Sequence, residues 1–113
     1  MEIVMDQPMY PKATRELQQK RQALAPEIYA AFQTFSELVF ADGALPSKTK
    51  QLIAVAVAHV TQCPYCIEVH VKNAKAAGAS REEITESSLI AAALRAGGAA
   101  THGAMALKFY DKA

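Results

Sequence analysis

Three prolines, Pro26, Pro46 and Pro64, and one late glycine, Gly78, cut an alanine-rich chain into lengths that suit helices. Alanine supplies 23 of the 113 residues, while runs of alternating β-branched residues bounded by hairpin turns are sparse. Gln51 to Thr61 is the one ambiguous stretch, because Ile53, Val55 and Val57 alternate with alanine. Its Pro-initiated first turn and the lack of a hairpin partner make it a buried helix of about four turns. The fold expected is an all-α helical bundle of five to six helices.

The helices can be placed in order. Residues 1–12, with Pro8 and Pro11, form an extended lead-in, and Ala13 to Leu24 a polar surface helix. Pro26 and Glu27 open the next helix, with Tyr29, Phe32, Phe35 and Phe40 expected in its core or at a subunit contact, and Asp42-Gly43 as its stop. Met105, Leu107 and Phe109 carry the same expectation. Gly78 should end the helix that begins at Pro64. Ser80 and Glu83 have capping-box spacing, so the last helix starts near Arg81. Gly97-Gly98 should weaken it before Ala99 to Tyr110 resumes.

Length makes 1–113 a single domain, one that buries roughly 60–70% of its unfolded surface and so gains from oligomerisation. Twelve basic against eleven acidic residues leave a net charge of +1 with no basic block, which argues against nucleic acid as a partner. The longest apolar run, Leu52 to Val60, is about half a membrane span, and the N-terminus lacks a secretory pattern. The expectation is a cytoplasmic protein with no membrane partner. In a reducing compartment two cysteines three positions apart point to redox chemistry or metal binding.

Chemistry concentrates between His59 and His70. Pro64 at the first position of a helix puts Cys63 at the N-cap, where unpaired amides and the helix dipole favour a thiolate. Cys66 lies one turn on, and His70 a further turn, placed to act as base. On an ideal helix His59, Cys63, Cys66 and His70 share roughly a 60° sector, whereas Glu68 points about 160° from Cys66 and reads as a surface charge. Two adjacent thiols suffice to reduce a peroxide through a sulfenic acid and a disulfide, without flavin or haem; an external dithiol or protein reductant must then reopen the disulfide.

These residues resemble the carboxymuconolactone decarboxylase-like superfamily, in its alkylhydroperoxidase D-type branch. That branch is marked by Glu, eleven residues, Cys-x-x-Cys, three residues and His. The likeness centres on Leu52 to His59 with Cys63, Cys66 and His70, and extends over about residues 25–110. It implies a thiol-dependent peroxidase acting on a hydroperoxide. Cys66 would attack the peroxide, Cys63 resolve the product and face the reductant, and His70 relay protons, though the two thiols can exchange roles. It also implies a homotrimer or homohexamer. Gln51 occupies the relay Glu position and cannot titrate; His59 is the candidate to compensate. Tyr65 stands where well-known members have His.

Other functions fit parts of the pattern. His59, Cys63, Cys66 and His70 are an alternative zinc set, if the chain bends at Pro64. A general thiol–disulfide oxidoreductase uses the same dithiol, and Cys-Pro-Tyr-Cys also occurs in glutaredoxin-like proteins, but a thioredoxin fold needs strands this chain lacks. A lactone decarboxylase lacks a carboxylate clamp here, and a non-enzymatic helical scaffold is the plainest alternative. His102 has no spacing relation to the dithiol.

Overall fold

Five helices make up the computed structural model, which describes residues 10–113: α1 (Arg15–Leu24), α2 (Pro26–Phe40), α3 (Ser47–Thr61), α4 (Pro64–Ala76) and α5 (Arg81–Lys112). Among the described residues there is no strand, so the fold is all-α as the composition requires. Tyr10 to Lys12 lack regular structure, and the rest of the expected lead-in lies outside the described residues. The chain divides into two compact units, one ending at Val39 and the other running Phe40–Ala113.

In the first unit, Thr14 caps α1 by accepting the Leu17 N–H at 3.3 Å. α1 buries none of its residues. Pro26 opens α2 with Glu27 in the first turn, and the Arg21 guanidinium lies 5.2 Å from the Tyr29 ring centroid. Ile28, Phe32 and Phe35 are more than 60% exposed, so of the two expected places, core or subunit contact, the core of this chain is not where they lie. The physical reason is local: within this unit only a polar helix is available to cover them. Met105, Leu107 and Phe109 in α5 are likewise exposed.

In the second unit α3 packs on both α4 and α5. It does so through Gln51, Val55 and Ala58, a stripe at intervals of four and three residues. Ala74 of α4 and Ser87 and Ala91 of α5 are the small buried residues that meet it, so backbones can approach closely. The start of α3 is fixed by Asp42, whose Oδ1 accepts the Ser47 N–H at 2.6 Å, while Lys50 Nζ donates to the Ala41 carbonyl at 2.6 Å. Gly43 is not the expected left-handed stop: α2 ends at Phe40, and the described residues of positive φ are Gln62 and Gly78. Gly78, at φ 96°, does close α4, with Ala79 N–H reaching the Ala74 carbonyl.

Both halves of the Ser80–Glu83 capping box are present at the start of α5. Glu83 also pairs with Lys48 of α3 at 2.9 Å, and Arg95 donates to the Val60 carbonyl at 2.6 Å, tying α5 to both ends of α3. Beyond Arg95 the helix continues without interruption through Gly97-Gly98, contrary to the expected weakening. Glycine lowers helix stability without blocking any hydrogen bond, and the alanines on either side carry the ladder across. No helix among the described residues is long and apolar enough to cross a membrane.

Candidate active site

A reversal of the chain between α3 and α4 delivers the dithiol. Gln62 takes the left-handed conformation, φ 57° and ψ 48°, normally left to glycine. Its own N–H reaches the His59 carbonyl and the Cys63 N–H reaches that of Ala58 at 3.1 Å, so the last carbonyls of α3 are satisfied. The next residue, Cys63, is extended and serves as N-cap of α4, with Pro64 at the first helical position as the spacing predicts. Its Sγ accepts the Cys66 N–H at 3.3 Å.

Both cysteines are reduced and half-buried. Their electrostatics differ. The Cys66 thiol and the amides of Cys66 and Tyr65, all turned toward Cys63 Sγ, hold the Cys63 thiol below its ordinary value. Donating to Cys63, and secondarily burial, pushes Cys66 up. The two thiols are thus pushed in opposite directions by the contact they share.

His70 follows Cys66 by one helical turn, and its other flank is built from outside α4. Nδ1 lies 2.8 Å from Gln51 Oε1, and since an amide oxygen only accepts, Nδ1 carries the hydrogen and Nε2 keeps its lone pair. Gln51 is only 6% exposed, sunk in the α3–α4 contact. The Phe40 ring stacks on the imidazole with centroids 5.0 Å apart. Burial lowers the His70 pKa, which favours the neutral base. Gln51 was marked by the sequence only as a lost carboxylate; here its amide oxygen faces His70 Nδ1. Phe40 was not foreseen as a neighbour of the site, and no local signal marks it, because thirty residues separate it from His70.

His59 is not brought into this group by any hydrogen bond to a cysteine: its Nδ1 meets the Val55 carbonyl of its own helix at 2.7 Å. The turn at Gln62 breaks the continuous helix on which the common sector was reckoned. The zinc set of His59, Cys63, Cys66 and His70 is not assembled either, since among the described residues no group of three or more His, Cys, Asp or Glu side chains could share a metal ion. Glu68 is exposed and pairs with Lys72 at 2.9 Å, in keeping with a surface charge. His102 is exposed on α5.

A cavity of about 500 Å³ lies between α3 and α5, apolar along Leu52, Ile53, Val57 and Ile90, with Glu83 and Glu86 at its rim. Neither cysteine lines it.

This all-α frame matches known proteins. The model of the carboxymuconolactone decarboxylase family covers residues 26–109, and the chain belongs to that family. An uncharacterised protein encoded in the cox locus of Paracoccus denitrificans is 54% identical over 90% of this chain and 91% of its own. The apo structure of a carboxymuconolactone decarboxylase family protein from Legionella pneumophila superposes with a TM-score of 0.68 at 33% identity, covering 86% of this chain and 87% of that one. A family protein of Thermotoga maritima, for which involvement in an antioxidative response has been suggested, gives 0.57 at 30% identity over 74% and 87%.

Proposed function

We propose that this chain is a thiol-dependent peroxidase, reducing a hydroperoxide with the Cys63–Cys66 pair in the cytoplasm. The observation that carries the reading is the capped sulfur: Cys63 Sγ faces the Cys66 amide at 3.3 Å and is the thiol held below its ordinary pKa. The antioxidative role suggested for the Thermotoga relative supports the same chemistry.

The Cys63 thiolate attacks the terminal peroxide oxygen, the O–O bond breaks, and the departing alkoxide takes a proton and leaves as an alcohol. Cys63 is then a sulfenic acid. The Cys66 thiol, losing its proton toward Nε2 of His70, attacks the Cys63 sulfur; the S–O bond breaks, hydroxide leaves as water with that proton, and a disulfide forms. Two electrons have passed from the dithiol to the peroxide. An external dithiol or protein reductant returns them through a mixed disulfide, regenerating both thiols. No bound cofactor enters this cycle.

The test is a peptide-mass map after titration with an organic hydroperoxide. Wild-type protein should lose two hydrogens stoichiometrically. In Cys66→Ser a sulfenic acid should accumulate at Cys63 and be trapped by a dimedone-type probe, whereas Cys63→Ser should lose peroxide consumption by about 100-fold or more. A sulfenic acid forming at Cys66 in Cys63→Ser at the wild-type rate would restore the opposite order. Thiols inert to peroxide but rapidly exchanging with small disulfides would favour a general thiol–disulfide oxidoreductase.

A further inference from the structure

Among the aromatic residues of α2, Phe32 and Phe35 stay exposed, whereas Phe40, the last residue of the helix, is half-buried and belongs with α3, α4 and α5 in the second unit. Its ring lies on the His70 imidazole with centroids 5.0 Å apart and planes inclined by 29°. Neither the thiol–peroxide step nor the disulfide step involves this ring directly.

An imidazole is poorly fixed by its own side chain, because rotation about the Cβ–Cγ bond has broad, roughly two-fold minima. The Gln51 bond at 2.8 Å holds one edge, at Nδ1. One bond at one edge is a pivot and leaves the plane free to swing. A flat ring laid on the face removes that freedom, since a quarter turn about Cβ–Cγ would drive the edge of the imidazole into the phenyl plane. The tether on α4, the acceptor on α3 and the ring at the end of α2 thus hold the imidazole from three sides, and Nε2 is the nitrogen left open.

Phe40 is itself held. α2 stops there, and the connection that follows is gathered by the start of α3: Asp42 Oδ1 accepts the Ser47 N–H at 2.6 Å, the Gly43 N–H reaches the Leu45 carbonyl at 3.1 Å, and Lys50 Nζ donates to the Ala41 carbonyl at 2.6 Å. A bond from an ammonium is among the stronger hydrogen bonds. Lys50 and Gln51 are consecutive, so the same turn of α3 secures the residue beside Phe40 and supplies the acceptor for His70. Face and edge of the imidazole are set together. Burial, which lowers the His70 pKa, favours the neutral ring in which the choice of tautomer matters.

We propose that Phe40 is a positioning residue for the dithiol: by covering one face of His70 it keeps the imidazole from turning, so that Nδ1 stays on Gln51 and Nε2 stays the base. Phe40 takes no proton itself and acts through His70. The consequence for catalysis rests on the proposed role of His70 in accepting the Cys66 proton, whereas the hold on the ring does not.

Nitrogen NMR of the reduced full chain, labelled at histidine, tests the hold. It is recorded above the ordinary imidazole pKa of 6.5, with His70→Asn identifying the signals. Wild type should show a protonated Nδ1 and an unprotonated Nε2 at His70. Phe40→Ala should move both nitrogens toward the averaged positions of exchanging tautomers, and should slow closure of the disulfide after a hydroperoxide pulse by about tenfold. Phe40→Tyr keeps the flat face and should retain the wild-type signals and rate. Phe40→Leu keeps the apolar bulk, serves if the alanine variant fails to fold, and should also show averaging. Averaging already present in wild type, or unchanged signals in a folded alanine or leucine variant, overturns the proposal. Averaged signals with an unchanged rate overturn its consequence for catalysis. A wild-type chain whose thiols ignore hydroperoxide would instead end the peroxidase function proposed above, while the nitrogen signals would still decide whether Phe40 holds the ring.

Discussion

The turn between α3 and α4 and the far half of α5 are built on opposite principles. At the turn, hydrogen bonds hold the Gln62 and Cys63 amides and the Cys63 sulfur, and one residue is held in a costly conformation to place the next. The Gln62 cap and the Cys63 sulfur fix the turn, and the Gln51–His70 bond and the Phe40 stack fix the imidazole that follows in the same cluster of elements. The far half of α5 is regular helix from end to end, with no residue buried. Position is determined closely around the two cysteines, while the far half of α5 is held by its own backbone alone.

The sharpest way to break the contrast is to remove a partner from the cluster. Gln51→Leu keeps the volume but leaves the His70 Nδ1–H without an acceptor in a half-buried site, and should cost about 1–3 kcal/mol in denaturant unfolding. The same substitution should blur the pH dependence of peroxide consumption, since both imidazole tautomers become accessible. A loss below about 0.5 kcal/mol would mean that the hydrogen bond does not hold the site together.

Acid sensitivity should follow from the same cluster. Because burial lowers the His70 pKa, the unfolded chain binds more protons than the folded one as pH falls below the ordinary value of 6.5. Stability contributed by neutral His70 is therefore complete above that value, and is lost progressively down to the lowered folded pKa. Gln51→Glu reverses the trend by placing a carboxylate against Nδ1, which favours the imidazolium and raises the pKa. Urea midpoints measured from pH 7.5 to 5 should fall for wild type and fall less for Gln51→Glu. Parallel curves would remove His70 from the account.

The smallest effect sharpens the comparison by relaxing the turn. Gln62→Gly removes the left-handed penalty and should stabilise the fold by about 1 kcal/mol, less the added entropy of the unfolded glycine. A thermal melt of the reduced protein should rise by a few degrees. A fall would show that the Gln62 side chain contributes more than its backbone strain costs.

What could be read in the sequence follows the same division. The Ser80–Glu83 box, the Pro64 start and the Cys63 cap were legible because each is decided within four residues. Gly78 was legible as a stop, but Gly43 was not distinguished from it, since the turn after α2 is set by Asp42 and Lys50 rather than by a left-handed residue. The Gln51–His70 bond spans nineteen residues, so only the family spacing pointed to Gln51. The aromatic spacing of α2 and the apolar residues of α5 resembled core positions because periodicity reports that a face is to be covered, without saying whether the cover belongs to the same chain.

The sulfur at the head of α4 has a consequence for electrons as well as for protons. Amides that gather around Cys63 stabilise its anion, and that stabilisation exists only while the dithiol is reduced. Joining Cys63 to Cys66 in a disulfide removes the charge from the helix end and forfeits the interaction. The helix terminus thus weights the couple toward its reduced form and makes the disulfide more oxidising than it would be on an uncapped segment. A turn that favours the thiolate at Cys63 thereby also makes a disulfide formed there easier to reduce.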